Sequence, residues 1–348
     1  MRLEPSRRAI ALGAIIALVI AAASLLVPGP ENAPSLGGKD ATFNPGPREA
    51  APVECDGRQV TVTSDIQQVI DHNKKGSTFC LEEGTYEVSS SIRPPEGTQL
   101  IGAGMEKTHL VGTGAGIIID AKNTAGVLIA HMDISDARGN RGCRPSCGSG
   151  LRGGSDNIVR FVRVHHNANH GIGGSGDALL IENSEIFANG SSEFLGCCAG
   201  GVKSGNSFTI RNSYVHDNIG SGIWCDVDCP RFVVEDNVVI NNSKNGVRFE
   251  HGGDASDSVV AASSALIVRN KIQGNNTSRH TPGAGIEVNS ASNAEIAFNV
   301  LGRTTDGTGI LVRGSRYPII NNLIHNNNMH EDRVNGCHLS GVTCTGND

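Results

Sequence analysis

Aromatic side chains are scarce, at 4% of 348 residues, and there is a single tryptophan, Trp224. A fold built on large ring-filled cores is therefore a poor fit. Charged residues reach only 18%, with a formal net charge of −6. An acidic chain lacks the basic footprint that nucleic acid requires, so nucleic acid is not expected as a partner. No Cys-x-x-Cys pair occurs among the ten cysteines, which argues against a structural zinc site. Apolar residues at 3.6 spacing over a dozen positions are also missing, and their absence excludes helical repeats.

What the chain does contain is a recurring phrase. An apolar residue is followed by two others, then asparagine, then a glycine-aliphatic pair. It reads Val164-His165-His166-Asn167, Ile186-Phe187-Ala188-Asn189, Val215-His216-Asp217-Asn218 and Val239-Ile240-Asn241-Asn242, and returns as Ile272-Gln273-Gly274-Asn275 and Ile324-His325-Asn326-Asn327. The interval from Val215 to Val239 is 24 residues. A period of that size means a solenoid. Segments such as Phe208-Thr209-Ile210-Arg211 and Phe232-Val233-Val234-Glu235 alternate apolar with polar, the period-two signature of strands. The expected fold class is all-β: a single parallel β-helix of roughly ten coils. Coils stack at about 4.8 Å, so the six asparagines are expected in one stack. Asparagine suits that place because it tolerates left-handed backbone and bonds along the axis. His165, His166 and His216 read as turn residues.

Arg2, Arg7 and Arg8 precede an uncharged apolar run from Ala9 to Val27, with small residues at Ala21-Ala22-Ala23-Ser24. This reads as a signal peptide or an N-terminal anchor over 1–27. A Pro/Gly/Ala-rich linker over 28–57 follows. The β-helix domain is expected over 58–336 and a C-terminal tail over 337–348. The product is secreted or extracytoplasmic, touching a membrane only through an uncleaved anchor. Ten cysteines in an exported chain point to disulfides among Cys55, Cys80, Cys143, Cys147, Cys197, Cys198, Cys225, Cys229, Cys337 and Cys344. Cys55–Cys80 and Cys337–Cys344 are natural clasps at the two ends. Cys143 and Cys147 can close a loop. Cys225 pairs with Cys229, or either pairs with Cys197 or Cys198.

A solenoid needs a closed end, because open sheet edges invite pairing with other chains. Ser64-Asp65-Ile66-Gln67 reads as a capping box with Ser64 as N-cap. Ile66, Val69 and Ile70 form one apolar face, so a short capping helix is expected at about 65–74. This helix, the phrase Gly76-Ser77-Thr78-Phe79-Cys80-Leu81-Glu82-Glu83-Gly84-Thr85-Tyr86, and Leu100-Ile101-Gly102-Ala103-Gly104 resemble the opening of proteins in the pectin-lyase-like superfamily. The later coils resemble its right-handed β-helix repeat region, over about 58–330. The resemblance implies a right-handed winding. It implies no single activity, because that superfamily includes lyases, hydrolases, epimerases, binding proteins and phage spikes. The hydrolase phrases Gly-His-Gly and Arg-Ile-Lys are absent; the nearest fragments are Asn169-His170-Gly171 and Glu250-His251-Gly252. No catalytic residue carries over.

The glycine-aliphatic strands supply a site from alternation alone. They run Gly201-Val202-Lys203-Ser204-Gly205, Gly222-Ile223-Trp224-Cys225-Asp226, Gly246-Val247-Arg248-Phe249-Glu250, Gly285-Ile286-Glu287-Val288-Asn289 and Gly309-Ile310-Leu311-Val312-Arg313. Residues one and three after glycine point inward, so residues two and four point outward. One outer column is then Lys203, Trp224, Arg248, Glu287, Leu311, and the next is Gly205, Asp226, Glu250, Asn289, Arg313. A tryptophan beside cations and carboxylates is the make-up of a sugar-binding surface. In a lyase, Lys203 or Arg248 takes the carbon-bound proton, while calcium on Asp226 and Glu250 neutralises the sugar carboxylate. In a hydrolase, Asp226 and Glu250 flank the bond as a retaining pair. Trp224, Glu287, Asn289 and Arg313 are the expected substrate contacts. The alternatives are a non-catalytic carbohydrate-binding envelope protein and a metal-handling β-helix protein using Cys or His.

Overall fold

A computed structural model describes residues 53–348, apart from 140–141, 143–146, 196–197, 228, 252–263, 280–282 and 315–318. The N-terminal targeting segment, most of the linker, Cys143, Cys197 and Asp228, a carboxylate close to Asp226 in sequence, lie outside the described residues.

Each coil contributes three strands. In one they are Phe208–Arg211, Tyr214–His216 and Ser221–Cys225; in the next, Phe232–Glu235, Val238–Ile240 and Val247–Glu250. The first two strands of each coil join a 19-stranded sheet and the third joins a nine-stranded sheet. The paired strands run parallel. Val215 pairs with Val239 and Ile223 with Val247, so the 24-residue sequence interval is the structural register. Alternation sends Ile210, Val215, Ile223, Val234, Val239 and Val247 into the tube, where none is exposed. Some of the few rings also lie inside: Phe208 and Phe232 are 4.9 Å apart, and Phe232 and Phe249 are 5.9 Å apart.

The asparagines form two ladders rather than one. In the first, each side-chain amide donates to the next carbonyl oxygen: Asn167 to Asn189 at 2.9 Å, Asn189 to Asn218 at 3.1 Å, Asn218 to Asn242 at 2.9 Å and Asn242 to Asn275 at 3.0 Å. Asn327 belongs to the second, which runs Asn237, Asn270, Asn299, Asn327, Asn347 at 2.9–3.0 Å. The two ladders occupy two of the three bends of each coil, after the first and after the second strand, and similar local phrases at both hid the distinction. Nor do the ladder asparagines take the left-handed backbone. The preceding residue does, with φ +53 at His166, +51 at Ala188, +53 at Asp217, +55 at Asn241 and +62 at Gly274. Asparagine is there to bond.

The glycine of each phrase leaves room for the ladder. A Cβ on Gly222 would sit 2.7 Å from Asn242 Nδ2 and 2.9 Å from Val239 Cγ1, and one on Gly201 would sit 2.9 Å from both Asn218 Nδ2 and Val215 Cγ1.

The capping helix runs Ile66–Asp71, shorter than expected, with Asp65 rather than Ser64 as N-cap, accepting from the Gln68 N–H. Asp caps as well as Ser, and the Ser64 hydroxyl instead lies 2.9 Å from Thr61 Oγ1. Ile66 and Ile70 are buried in the tube core, with Val69 packed against it. Disulfides Cys55–Cys80 and Cys337–Cys344 close the two ends as expected, and Cys225 pairs with Cys229. Cys147 and Cys198 are also disulfide-bonded. The expected tail adds another strand, Val342–Thr345, in register on Asn322–His325. Disulfides mark an oxidising compartment. Among the described residues no helix is long and apolar enough to cross a membrane.

Candidate functional site

The nine-stranded sheet carries the expected outer column in strict register: Arg152 with Gly173, Gly173 with Lys203, Lys203 with Trp224, Trp224 with Arg248, Arg248 with Glu287, and Glu287 with Leu311. Inward residues Val202, Ile223, Val247 and Ile286 are fully buried, which fixes the outward direction of their neighbours.

Trp224 is half-buried and enclosed by cations from both adjacent coils. Lys203 Nζ lies 4.0 Å and Arg248 Cζ 4.9 Å from its ring centroid. Its Nε1–H donates to Glu250 Oε2 at 3.1 Å. The flat face expected to stack on a sugar is thus covered, because successive side chains in a parallel column pack on one another.

The carboxylates are claimed in the same way. Lys203 Nζ is 2.9 Å from Asp226 Oδ2. Glu250 Oε1 accepts from Arg248 and, at 2.9 Å, from Asn289 Nδ2. Glu287 has a side chain only 1% exposed; Arg248 Nε lies 3.1 Å from its Oε2, Arg313 Nε donates to Oε1 at 2.7 Å, and Asn245 Nδ2 to Oε2 at 2.7 Å. Glu287 and Asn289, expected as substrate contacts, are therefore buried partners that hold the arginines and Glu250. Lys203, Asp226, Trp224, Arg248 and Arg313 remain reachable. Asp226 and Glu250 are set among donors. Among the described residues no group of three or more His, Cys, Asp or Glu converges as a metal site.

Three residues of this face escaped the sequence columns. Lys244, in the turn before the Arg248 strand, donates to Leu195 O at 2.7 Å. Burial, then Arg248, pushes its ammonium below the usual lysine range. Arg152 extends the column by two coils. His170 lies beneath Gly173, with Nε2 2.9 Å from Ser149 Oγ. Burial, then Lys203 and Arg152, lowers its pKa to about 3, so it is neutral. Extending the glycine-aliphatic alignment upstream through Gly171 and Gly150 would have found Arg152, whereas His170 stands before its glycine and outside both columns.

The larger sheet carries a second cluster. His165 and His216 are strand residues, not turn residues, because they alternate outward on Ile158–His165 and Tyr214–His216. His166 does turn. His165 Nε2 is 2.8 Å from Asp133 Oδ2, His216 Nε2 is 3.2 Å from Glu185 Oε1, and Arg163 Nε is 3.2 Å from Glu185 Oε2. Phe187 stacks between the histidine rings at 4.7 and 5.1 Å. Burial alone would raise the Glu185 carboxyl, but the His216 hydrogen bond and Arg163 outweigh it and hold it below the usual range.

Comparison with known proteins fixes the winding. The family model described as right handed beta helix region matches residues 115–274. No curated protein matches the chain in sequence. Among solved structures, the chain is similar to the Azotobacter vinelandii mannuronan C-5 epimerase AlgE4 A-module (17% identity, TM-score 0.57), covering 84% of this chain and 93% of that one. It is also similar to pectate lyase Pel9A (14%, 0.51), covering 83% and 79%, and to the Dettilon tailspike protein (14%, 0.56), covering 78% and 62%. The chain folds as a right-handed parallel β-helix.

Proposed function

We propose that this right-handed β-helix is exported and binds a polysaccharide along the outer face of its smaller sheet. The observation that carries the reading is the in-register strip Lys203–Trp224–Arg248, with Asp226 and Glu250 beside it. Held cations and carboxylates match sugar hydroxyls and acids without the ordering cost that loose side chains incur. That the structural neighbours include an epimerase named for mannuronan, a pectate lyase and a tailspike supports a glycan as the ligand.

A second reading is cleavage, favoured by one pair. Lys203 and Asp226 form an ion pair that a bound sugar can reach, with 31% of the Asp226 side chain exposed. Proton transfer at this pair, assisted by Arg248 and Glu250 and with calcium as a candidate cofactor, would make the face a lyase or hydrolase centre.

A panel of polysaccharides, with and without calcium, tests both readings. Affinity electrophoresis reads binding, reducing ends read cleavage, and ultraviolet absorbance reads an unsaturated lyase product. Trp224→Ala is expected to weaken retention without unfolding the chain. Unchanged migration would remove the indole from the site, and no retention of any glycan would overturn the reading.

A further inference from the structure

The charges on the smaller sheet are spaced by coil number. In register order the outer column reads Asp120, Arg152, Gly173, Lys203, Trp224, Arg248, Glu287. Cations stand on every second rung and neutral rungs fall between. One of these is Gly173, where an added Cβ would lie 2.6 Å from His170 Nε2, so the neutral imidazole floors that rung. The other is the Trp224 indole. A carboxylate closes each end of the run. Two rungs measure about 9.6 Å, twice the strand spacing, close to one extended disaccharide. Three cations therefore span about 19 Å over four rungs.

We propose that this face selects an acidic polysaccharide with one carboxylate per disaccharide, alternating with a neutral sugar, and engages three acids at once. The inference rests on the glycan-binding reading above and adds the spacing of charge. The cations are preset to it: the Lys203 and Arg248 side chains are only 15% and 16% exposed and pinned by their acid partners. The neutral rungs carry no cation of their own for an extra acid, since Lys203 and Arg248 belong to the rungs on either side. Asp226, two residues on from Trp224 along the same strand, repels one at that rung. A polymer with an acid on every sugar thus meets cations at half its charges and finds Asp226 beside the Trp224 rung. Beyond three acids the column has no further cation, because Asp120 takes the next rung at one end and the buried Glu287 takes it at the other.

The test uses oligosaccharides of defined length on the full chain, with isothermal titration at fixed salt. Hyaluronan fragments carry one acid per disaccharide, oligogalacturonates one per sugar, and chito-oligosaccharides none. The hyaluronan hexasaccharide is expected to bind about tenfold tighter than the tetrasaccharide, the value of one added charge-assisted contact, with no further gain at the octasaccharide. Lys203→Met should cost the hexasaccharide about tenfold with circular dichroism unchanged. Arg152→Met should erase the step from tetra- to hexasaccharide, so the result does not hang on one variant. Oligogalacturonate binding as tightly as hyaluronan, or affinity growing steadily with length, overturns the alternate-rung assignment. Neutral chains binding equally well also overturn it while leaving the glycan face standing. Retention of no glycan in this or the wider panel removes the reading beneath it.

Discussion

Asn218 shows how much one amide carries. Its Oδ1 accepts from the Asn189 backbone N–H at 3.0 Å and from Asn189 Nδ2 at 3.1 Å, while its own amide donates to Ile186 O at 3.1 Å and to Asn242 Oδ1 at 2.9 Å. Asn189, Asn218 and Asn242 are all buried, and each orphaned buried group costs about 1–3 kcal/mol. Asn218→Ala should lower stability by about 3 kcal/mol or more in urea titration; a loss within error would mean that water replaces the ladder. His170 sets a pH dependence. Its folded pKa of about 3 lies below the ordinary 6.5. Below pH 6.5 the unfolded chain takes up a proton that the folded chain refuses, so stability is complete above that pH and declines towards about pH 3. His170→Gln should flatten that acid limb of the melting curve, and an unchanged limb would assign the acid sensitivity elsewhere. Neither property is written in composition, since each depends on which side chain the coil above delivers.

Among the elements, strands were the most legible and bends the least. Strand alternation fixed the inward and outward sides of all five glycine-aliphatic segments, because the pleat leaves a side chain no third direction. Which cation takes which acid was not legible, because pairing is chosen by rotamers reaching across coils. The His165–Phe187–His216 cluster was missed because its partners Asp133, Arg163 and Glu185 come from separate coils and share no local phrase. At the bends the left-handed residue precedes the ladder asparagine, and Ala188 holds φ +51 with a Cβ that position disfavours. Ala188→Gly should therefore be neutral to stabilising by up to about 1 kcal/mol. Ala188→Val should destabilise, and calorimetry of the pair separates backbone strain from lost contacts.

At the scale of the solenoid, the repeat period was enough to give the register, since one residue of slip would turn every inward aliphatic to solvent. The second ladder and the extra terminal strand were not foreseen, because they need the three-strand coil and not merely its length. The end disulfides carry a prediction of their own. Arg58–Val60 and Val342–Thr345 each have strand neighbours on one side only. Reduction should lower the melting temperature, with hydrogen exchange rising first in those two strands. Uniform loss across the middle coils would show instead that Cys225–Cys229 is the decisive bridge.

The alternation of cation and neutral rung has a consequence for change by duplication. A coil is the smallest unit that can be added without breaking the packing, so the strip is a ruler graduated in backbone hydrogen bonds. Gaining one coil inside it would throw half the cations out of step with a bound polymer, whereas gaining two would lengthen the scale and leave its divisions intact.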